Sequence, residues 1–335
     1  MALKMKSSTP VQVREVWAEN LVAEFSLIKE AISRFSFVSL DTEFPGTLFL
    51  SNLDKSLLSQ APPSHNYRLM KYNVDLLKII QLGMTLSDSQ GNLPSFGTEF
   101  HYVWQFNFRD FNIEHDPYND ESIGLLERQG IDLKKNREKG IDSSDFAWMV
   151  FTSGLVFNNS SITWITFHGA YDFGFLIKIL TRRELPCDMA SFLGMVSFFF
   201  GVRVYDTKFM MGSIGGLRGG LERVAELLGV ERTTGKRHQA GSDSLLTHQT
   251  FVRFKDSCAN LDLENLNGCE GMIFGLCEGW LGFDRTPEVY NNLNGCEGMI
   301  FGLCEGWLGF DRTPEVYNIE TSTQLKPQFK EVFSV

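Results

Sequence analysis

The sequence predicts an α/β fold in which a mixed β-sheet is flanked by α-helices. Strand-like segments come first along the chain, and strand and helix patterns alternate after them. The composition supports a globular fold, since 43% of the 335 residues are apolar and 21% are charged. A chain of this length can bury a large core as one big domain or two small ones.

The first part of the chain contains three predicted strands. Residues 35–44 are mostly apolar, β-branched or aromatic, and they stop at the turn signal Pro45-Gly46. Residues 47–75 read as irregular. Residues 76–86 and 100–108 predict two adjacent strands, which the turn sequence SQGN separates.

The second part of the chain predicts strand–helix units. Residues 109–145 are polar, with short helical pieces, and residues 162–167 read as another strand. Helices are predicted at about 171–180 and through 192–200.

Two further helices complete the prediction. The first carries its apolar residues at helical spacing (Leu221, Val224, Leu227 and Leu228) and is expected to stop at Gly229. The second is expected to start near Ser242, a suitable N-cap residue, and to continue past Phe251.

An identical tandem repeat marks the end of the chain. The 27-residue sequence at 265–291 is repeated without change at 292–318. Two copies are too few for a solenoid. We expect one copy to pack against the main domain and the other to be a loop. The predicted organisation is an N-terminal segment (1–24), a domain (25–290), the repeat, and a C-terminal tail (319–335).

Charge, hydropathy and cysteine usage exclude several classes of protein. The net charge of −10 opposes long-range steering toward nucleic acid, although bound metal ions can reverse the local sign. The longest nearly apolar stretch, 189–202, is shorter than the roughly 20 residues of a membrane span, and no signal peptide is evident. The six cysteines form no C-x-x-C motif and no zinc spacing, so reduced thiols in a soluble intracellular protein are expected.

The first candidate site is Asp41-Thr42-Glu43, at the end of the first predicted strand. Strand alternation places Asp41 and Glu43 on one face, next to Ser39. Two adjacent carboxylates repel each other unless a cation lies between them, and oxygen ligands suit Mg²⁺ or Mn²⁺. The alternative is an exposed strand end.

The second candidate is Asp172, which the pattern places in the first turn of a helix. The helix dipole favours an acidic residue there in any protein, so a structural role is the alternative. His168, just before it, is a candidate substrate contact, although a structural histidine is the favoured interpretation.

The third candidate is the pair His238 and Asp243. Asp243 is expected to open the last helix, and His238 lies on the loop before it. A general base suits that position, close to a metal-bound water without being a ligand itself. A surface histidine beside a helix N-terminus is the alternative.

Together these residues resemble a known catalytic set. Their order and spacing resemble the DEDD exonuclease superfamily, in the subgroup with a histidine base. Over roughly residues 25–290 the chain is similar to the deadenylases called carbon-catabolite-repressor-four-associated factor one, the exonuclease subunits of the Ccr–Not complex, and to their plant members in particular. The matching segments are SLDTEFPG (39–46), NVDLLKIIQLG (73–83), WQFNF (104–108), FHGAYDFGFLIKIL (167–180), YDTKFM (205–210), GGLERVAELLGV (219–230) and HQAGSDSLLT (238–247).

The resemblance implies an RNase H-like fold and a metal-dependent site. By that match, Asp41, Glu43, Asp172 and Asp243 are the metal-binding carboxylates, and His238 is the general base. The implied cofactors are two divalent ions, Mg or Mn, which together balance the four negative charges and clamp a phosphodiester.

The resemblance also implies activity and partners. The implied reaction is removal of messenger RNA poly(A) tails from the 3′ end, releasing 5′-AMP. The implied partners are the large Not scaffold and the Ccr-type second nuclease, in cytoplasm and nucleus and without a membrane. Phe44 follows the acidic pair, and we weigh contact with the terminal nucleotide equally against core packing.

Two other functions stay open at this point. One alternative to the deadenylase is a catalytically idle scaffold of the same complex, and the other is a DEDD exonuclease with another nucleic-acid specificity. The intact set of five catalytic positions argues against the scaffold.

Overall fold

A computed structural model describes residues 9–52, 61–157, 161–212, 217–257 and 268–277 of the chain. Within these ranges the strands are β1 Val11–Val16, β2 Phe37–Glu43, β3 Gln81–Ser87, β4 His101–Asn107, β5 Thr163–Thr166 and β6 Val204–Asp206. They form one sheet in the order β1-β4-β3-β2-β5-β6. The pairs β2–β3 and β3–β4 are antiparallel, and the other three are parallel, which confirms the predicted mixed sheet.

Helices flank this sheet on both faces. Over the described ranges they are α1 Leu21–Ala31, α2 Pro63–Leu76, α3 Asp120–Arg128, α4 Leu133–Lys139, α5 Ser143–Ser153, α6 Ala170–Thr181, α7 Met189–Phe200, α8 Thr207–Met210, α9 Leu221–Leu227 and α10 Ala240–Ser257. Measured by length and apolar content, none of the helices in these ranges could cross a bilayer.

The longest helix, α10, covers one face of the sheet. It packs on β2, β3, β4 and β5, and Ser39 of β2 donates a hydrogen bond to its Ser244 carbonyl at 3.0 Å. On the opposite face, Phe106 of β4 contacts Phe25 of α1 and Phe146 of α5, with ring centroids 5.5 Å and 5.0 Å apart. Since successive strand residues point to opposite faces, the sheet separates two apolar layers.

The prediction of an irregular segment at 47–75 was wrong for residues 63–75. Residues 63–76 form α2, which begins with Pro62 as the N-cap and Pro63 at the first helical position, where its missing N–H costs nothing. Its buried residues Tyr67, Met70 and Val74 follow helical spacing on an otherwise polar sequence. The predicted strand at 76–86 therefore begins later, at Gln81.

The sheet also reaches further toward the N-terminus than predicted. Strand β1 pairs with β4 in parallel, from Val11 opposite His101 to Val16 opposite Phe106. The segment predicted as 1–24 thus supplies an edge strand, and Val16 and Leu21 are buried. The last helix begins at Ala240, slightly before the predicted start. Ser242 therefore lies inside the first turn and is not the N-cap.

Part of the first repeat copy packs against the sheet. Cys269, Ile273 and Leu276 are buried, and the Gly271 N–H donates to the Val204 carbonyl of β6 at 2.8 Å. Residues 292–318 and the predicted tail lie outside the described residues. No disulfide joins the cysteines of the described ranges, which are Cys187, Cys269 and Cys277.

Candidate active site

Strand β2 carries the first two predicted acids to the edge of the sheet. Asp41 pairs with Gly83 of β3, and Glu43 pairs with Gln81. A Cβ on Gly83 would lie 1.8 Å from the Ala240 carbonyl oxygen, so only glycine lets α10 start this close to the strand. That close approach places the first turn of α10 directly over the two acids.

The first turn of α10 contributes Asp243. Its Oδ1 accepts a hydrogen bond from Nη2 of Arg232 at 2.5 Å, and its Oδ2 accepts one from the backbone N–H of His238 at 2.9 Å. His238 has a φ of 59°, in the left-handed region that side chains rarely adopt. Its Nδ1 lies 3.8 Å from Oε1 of Glu43, so the loop holds the imidazole against the acids.

The fourth predicted acid, Asp172, lies in the first turn of α6, as the sequence indicates. It is 6% exposed, and its Oδ1 accepts a hydrogen bond of 2.6 Å from the Thr42 hydroxyl. Thr42 stands between Asp41 and Glu43 on β2. Asp172 thus lies next to the other acids, and its charge acts on Asp41 and Glu43.

Burial raises the pKa values of all four acids. Burial raises the pKa of Asp41 and of Glu43 well above the usual range, and repulsion from Asp243 and Asp172 adds to this. Burial also raises the pKa of Asp172 to about 7, while the Thr42 hydrogen bond opposes the shift. Burial raises the pKa of Asp243 too, against the pull of Arg232. Such a cluster ionises fully only when cations join it.

These groups surround an open pocket of about 220 Å³. Its described lining residues are Asp41, Thr42, Glu43, Phe167, Leu221, Glu222, Arg237, His238 and Asp243. Asp172 is not among these lining residues, but it contacts Thr42 of the lining and its charge raises the pKa of Asp41.

The donor set fits a divalent cation. Glu43, His238 and Asp243 each offer one ligand atom, and these atoms lie within 4.8 Å of one another. Asp41 lies on the same strand face as Glu43. Hard cations such as Mg²⁺ and Mn²⁺ prefer carboxylate oxygens, and a buried acidic cluster is stabilised by them.

His238 is held in the neutral form that a base requires. Burial lowers its pKa, and the nearby guanidinium groups of Arg237 and Arg232 lower it further, while Asp243 opposes them. An imidazole of this kind is free to accept a proton at neutral pH.

The two predicted substrate contacts lie beside the pocket rather than in its described lining. Phe44 stacks on Tyr171 with ring centroids 5.1 Å apart, and it also contacts Phe175 at 4.9 Å. His168 packs edge-on against Phe274 at 5.0 Å, and burial lowers its pKa to about 4. This packing favours the structural role that the sequence left open for each.

Arg232 and Glu222 complete the site and were missed from sequence. Arg232 bridges Asp243 and Glu222, and it also donates to the Ser242 hydroxyl and the Lys236 carbonyl. Glu222 lies on α9 and Arg232 lies ten residues later, so no local pattern in the sequence indicates that they meet at the site.

Comparison with known proteins identifies relatives of the whole domain. The model of a family described as CAF1 family ribonuclease matches residues 16–144. The chain is 50% identical over 276 residues to the probable CCR4-associated factor 1 homolog 10 of Arabidopsis thaliana, covering 82% of this chain and 96% of the relative. It is 39% identical over 286 residues to the poly(A) ribonuclease pop2 of Schizosaccharomyces pombe, covering 84% and 82%.

Solved structures show the same similarity. The Mg²⁺- and Mn²⁺-bound form of S. pombe Pop2p matches with a TM-score of 0.69 and 38% identity, over 79% of this chain and 99% of that one. The yeast CAF1 co-crystallised with the NOT1 MIF4G domain matches with a TM-score of 0.63 and 30% identity, over 81% of this chain and the whole of that one.

Proposed function

The chain belongs to the CAF1 family of ribonucleases, and on that basis we propose that it is a poly(A)-specific 3′-5′ exoribonuclease that removes the poly(A) tails of messenger RNA. The observation that carries this proposal is the convergence of Asp41, Glu43, Asp243 and His238 on one open pocket. A relative that covers most of this chain is named a poly(A) ribonuclease.

Asp41, Glu43, Asp172 and Asp243 are the residues that would hold two divalent ions, Mg or Mn. The raised pKa values of these acids show that their ionised forms are unfavourable without a cation, and Arg232 pairs directly with Asp243. Bound divalent ions would balance the charge of the four ionised carboxylates. The ions, when bound, lower the pKa of a water molecule and polarise the phosphodiester. One solved relative, S. pombe Pop2p, is a form bound to Mg²⁺ and Mn²⁺.

His238 acts as the general base. Its depressed pKa keeps the imidazole neutral, its backbone N–H is bound to Asp243, and its ring lies near Glu43. The ring accepts the proton of the water that attacks the terminal phosphodiester. Cleavage of the P–O bond to the 3′ oxygen of the preceding nucleotide releases one 5′-AMP per step.

The test is the shortening of a 5′-labelled RNA that ends in twenty adenosines, with Mg²⁺ or Mn²⁺ and with chelator. A ladder that stops at the tail boundary is expected. Asp41→Ala should abolish it, and His238→Ala should slow it by about 10²–10⁴-fold as a lost general base.

Other outcomes separate the alternatives. Shortening of poly(U) or single-stranded DNA at the same rate as poly(A) would indicate an exonuclease of broader specificity. A folded, metal-loaded protein that produces no ladder would be a scaffold instead.

As partners we propose the large Not scaffold and the Ccr-type second nuclease of the Ccr–Not complex, in cytoplasm and nucleus. A yeast CAF1 relative was co-crystallised with the NOT1 MIF4G domain. Co-purification of this chain with a MIF4G domain, and imaging of a fluorescent fusion, test the two parts of this proposal. Absence of binding at micromolar concentrations would contradict the first.

A further inference from the structure

Two arginines lie at the acidic pocket, and within the described ranges only one of them forms ion pairs. Arg232 is bound to Asp243, Glu222 and Ser242. Arg237 lines the pocket and is exposed, and it makes no ion pair with any residue of the described ranges. The pocket therefore carries one guanidinium whose donors are available.

The loop that carries Arg237 is fixed on both sides. The Lys236 N–H donates to Oε1 of Gln239 at 3.0 Å, and the His238 N–H donates to Asp243 at 2.9 Å. Gln239 in turn donates to the Gln129 carbonyl at 2.9 Å. The backbone on either side of Arg237 is thus held, and its side chain starts from a defined point at the pocket mouth.

The chemistry of the pocket suggests what this guanidinium binds. Bound divalent ions would balance the negative charge of the carboxylates, and Arg232 balances the charge of Glu222. An incoming phosphodiester adds one further negative charge for each linkage. The planar guanidinium fork of arginine matches two phosphate oxygens at once, whereas a lysine offers only a point charge.

We propose that Arg237 is the phosphate-binding residue of this site, with its guanidinium on the non-bridging oxygens of a phosphodiester at the 3′ end of the RNA. The proposal rests on the proposed RNA substrate and adds a residue to it. Arg237 holds the substrate backbone beside His238 and the acids, so it contributes to binding more than to the chemical step.

The experiment compares Arg237→Gln with Lys236→Gln. Lys236 is the adjacent cation; it is exposed and absent from the described pocket lining, so it is a matched control. Binding of a fluorescent A-tailed RNA is measured by anisotropy in Ca²⁺ over a series of KCl concentrations, and a gel checks that the RNA stays intact. Melting temperatures verify that both variants are folded.

We expect Arg237→Gln to weaken binding about tenfold and to reduce the slope of log Kd against log salt by about 0.7, the value for one lost single-strand phosphate contact. Lys236→Gln should change binding less than about twofold. Arg237→Lys should recover part of the affinity, because it keeps the charge and loses the fork. In Mg²⁺, Arg237→Gln should raise KM and leave kcat within about threefold.

Equal effects of the two glutamine variants on RNA binding, or an unchanged salt slope for Arg237→Gln, would overturn the proposal for Arg237. The proposed function would still stand as long as the wild-type protein shortens the RNA. A wild-type protein that neither binds nor shortens the RNA would overturn both.

Discussion

The hydroxyl of Thr42 donates a hydrogen bond of 2.6 Å to the Asp172 carboxylate. Thr42 separates the two acids of the D-x-E triplet, so this hydrogen bond connects strand β2 to the first turn of α6. The middle residue of the triplet, which the sequence pattern treats as a spacer, is what holds the fourth acid in place.

Thr42→Val should therefore weaken both the fold and the metal site. Valine has the shape of threonine but cannot donate, so the buried Asp172 carboxylate loses its side-chain donor, which costs about 1–3 kcal/mol. The measurements are urea unfolding and calorimetric titration with Mn²⁺, and a lower affinity is expected. Thr42→Ser keeps the donor and should recover the Mn²⁺ affinity. Equal affinities for valine and wild type would contradict the role.

The raised pKa of Asp172, about 7, predicts how stability depends on pH in the absence of metal. The folded state holds the proton of Asp172 more tightly than the unfolded state does. The stabilisation that this proton contributes is complete below the pKa of Asp172 in the unfolded chain, and it is lost as pH rises through about 7. Below pH 6.5 the depressed pKa values of His168 and His238 act in the opposite direction. The informative window therefore lies between pH 6.5 and 8.

In that window the chelated protein should melt at a lower temperature at pH 8 than at pH 6.5. Addition of Mn²⁺ should raise the melting temperature most at pH 8, where the carboxylates are ionised. Asp172→Asn is the matched variant, since it keeps the shape and removes the titrating group. A pH dependence of the same size in this variant would assign the effect to other groups.

Local patterns in the sequence predicted the elements that carry the site. Alternation in β2 placed Asp41 and Glu43 on one face, and the start of α10 placed Asp243 and His238 together. The same reasoning missed α2, whose apolar residues are few, and β1, whose pairing partner His101 is far along the chain from Val11. Long-range contacts such as that of Thr42 with Asp172 leave no local signal.

A polar band across the sheet is a second feature without a local signal. Gln105 of β4 accepts the Gly241 N–H at 3.1 Å and donates to Glu15 of β1 at 2.9 Å. Gln105 lies opposite Gly83, which in turn lies opposite Asp41, so the band leads from the sheet edge to the site. It ties the first turn of α10 to the sheet.

Gln105→Met should disturb the site from a distance. The variant leaves the buried Gly241 N–H without an acceptor, which costs about 1–3 kcal/mol, and it loosens the turn that carries Asp243. We expect lower stability in urea and a lower kcat with little change in KM for RNA. Gln12→Met, at an exposed position of β1, is the control and should change neither quantity. A kcat equal to that of wild type would limit Gln105 to stability.

The tandem repeat allows a deletion that leaves every described contact in place. Removal of either 27-residue copy gives the same shortened chain, because the copies are identical. The contacts of residues 268–277 remain available, including those of Ile273 and the 2.6 Å hydrogen bond from Tyr205 to Glu270. The shortened chain should match the full chain within about 0.5 kcal/mol in urea unfolding. It should also keep its deadenylation rate. Ile273→Ala in the shortened chain is the positive control and should cost about 2–5 kcal/mol. A deletion as damaging as that substitution would show that the fold needs both copies.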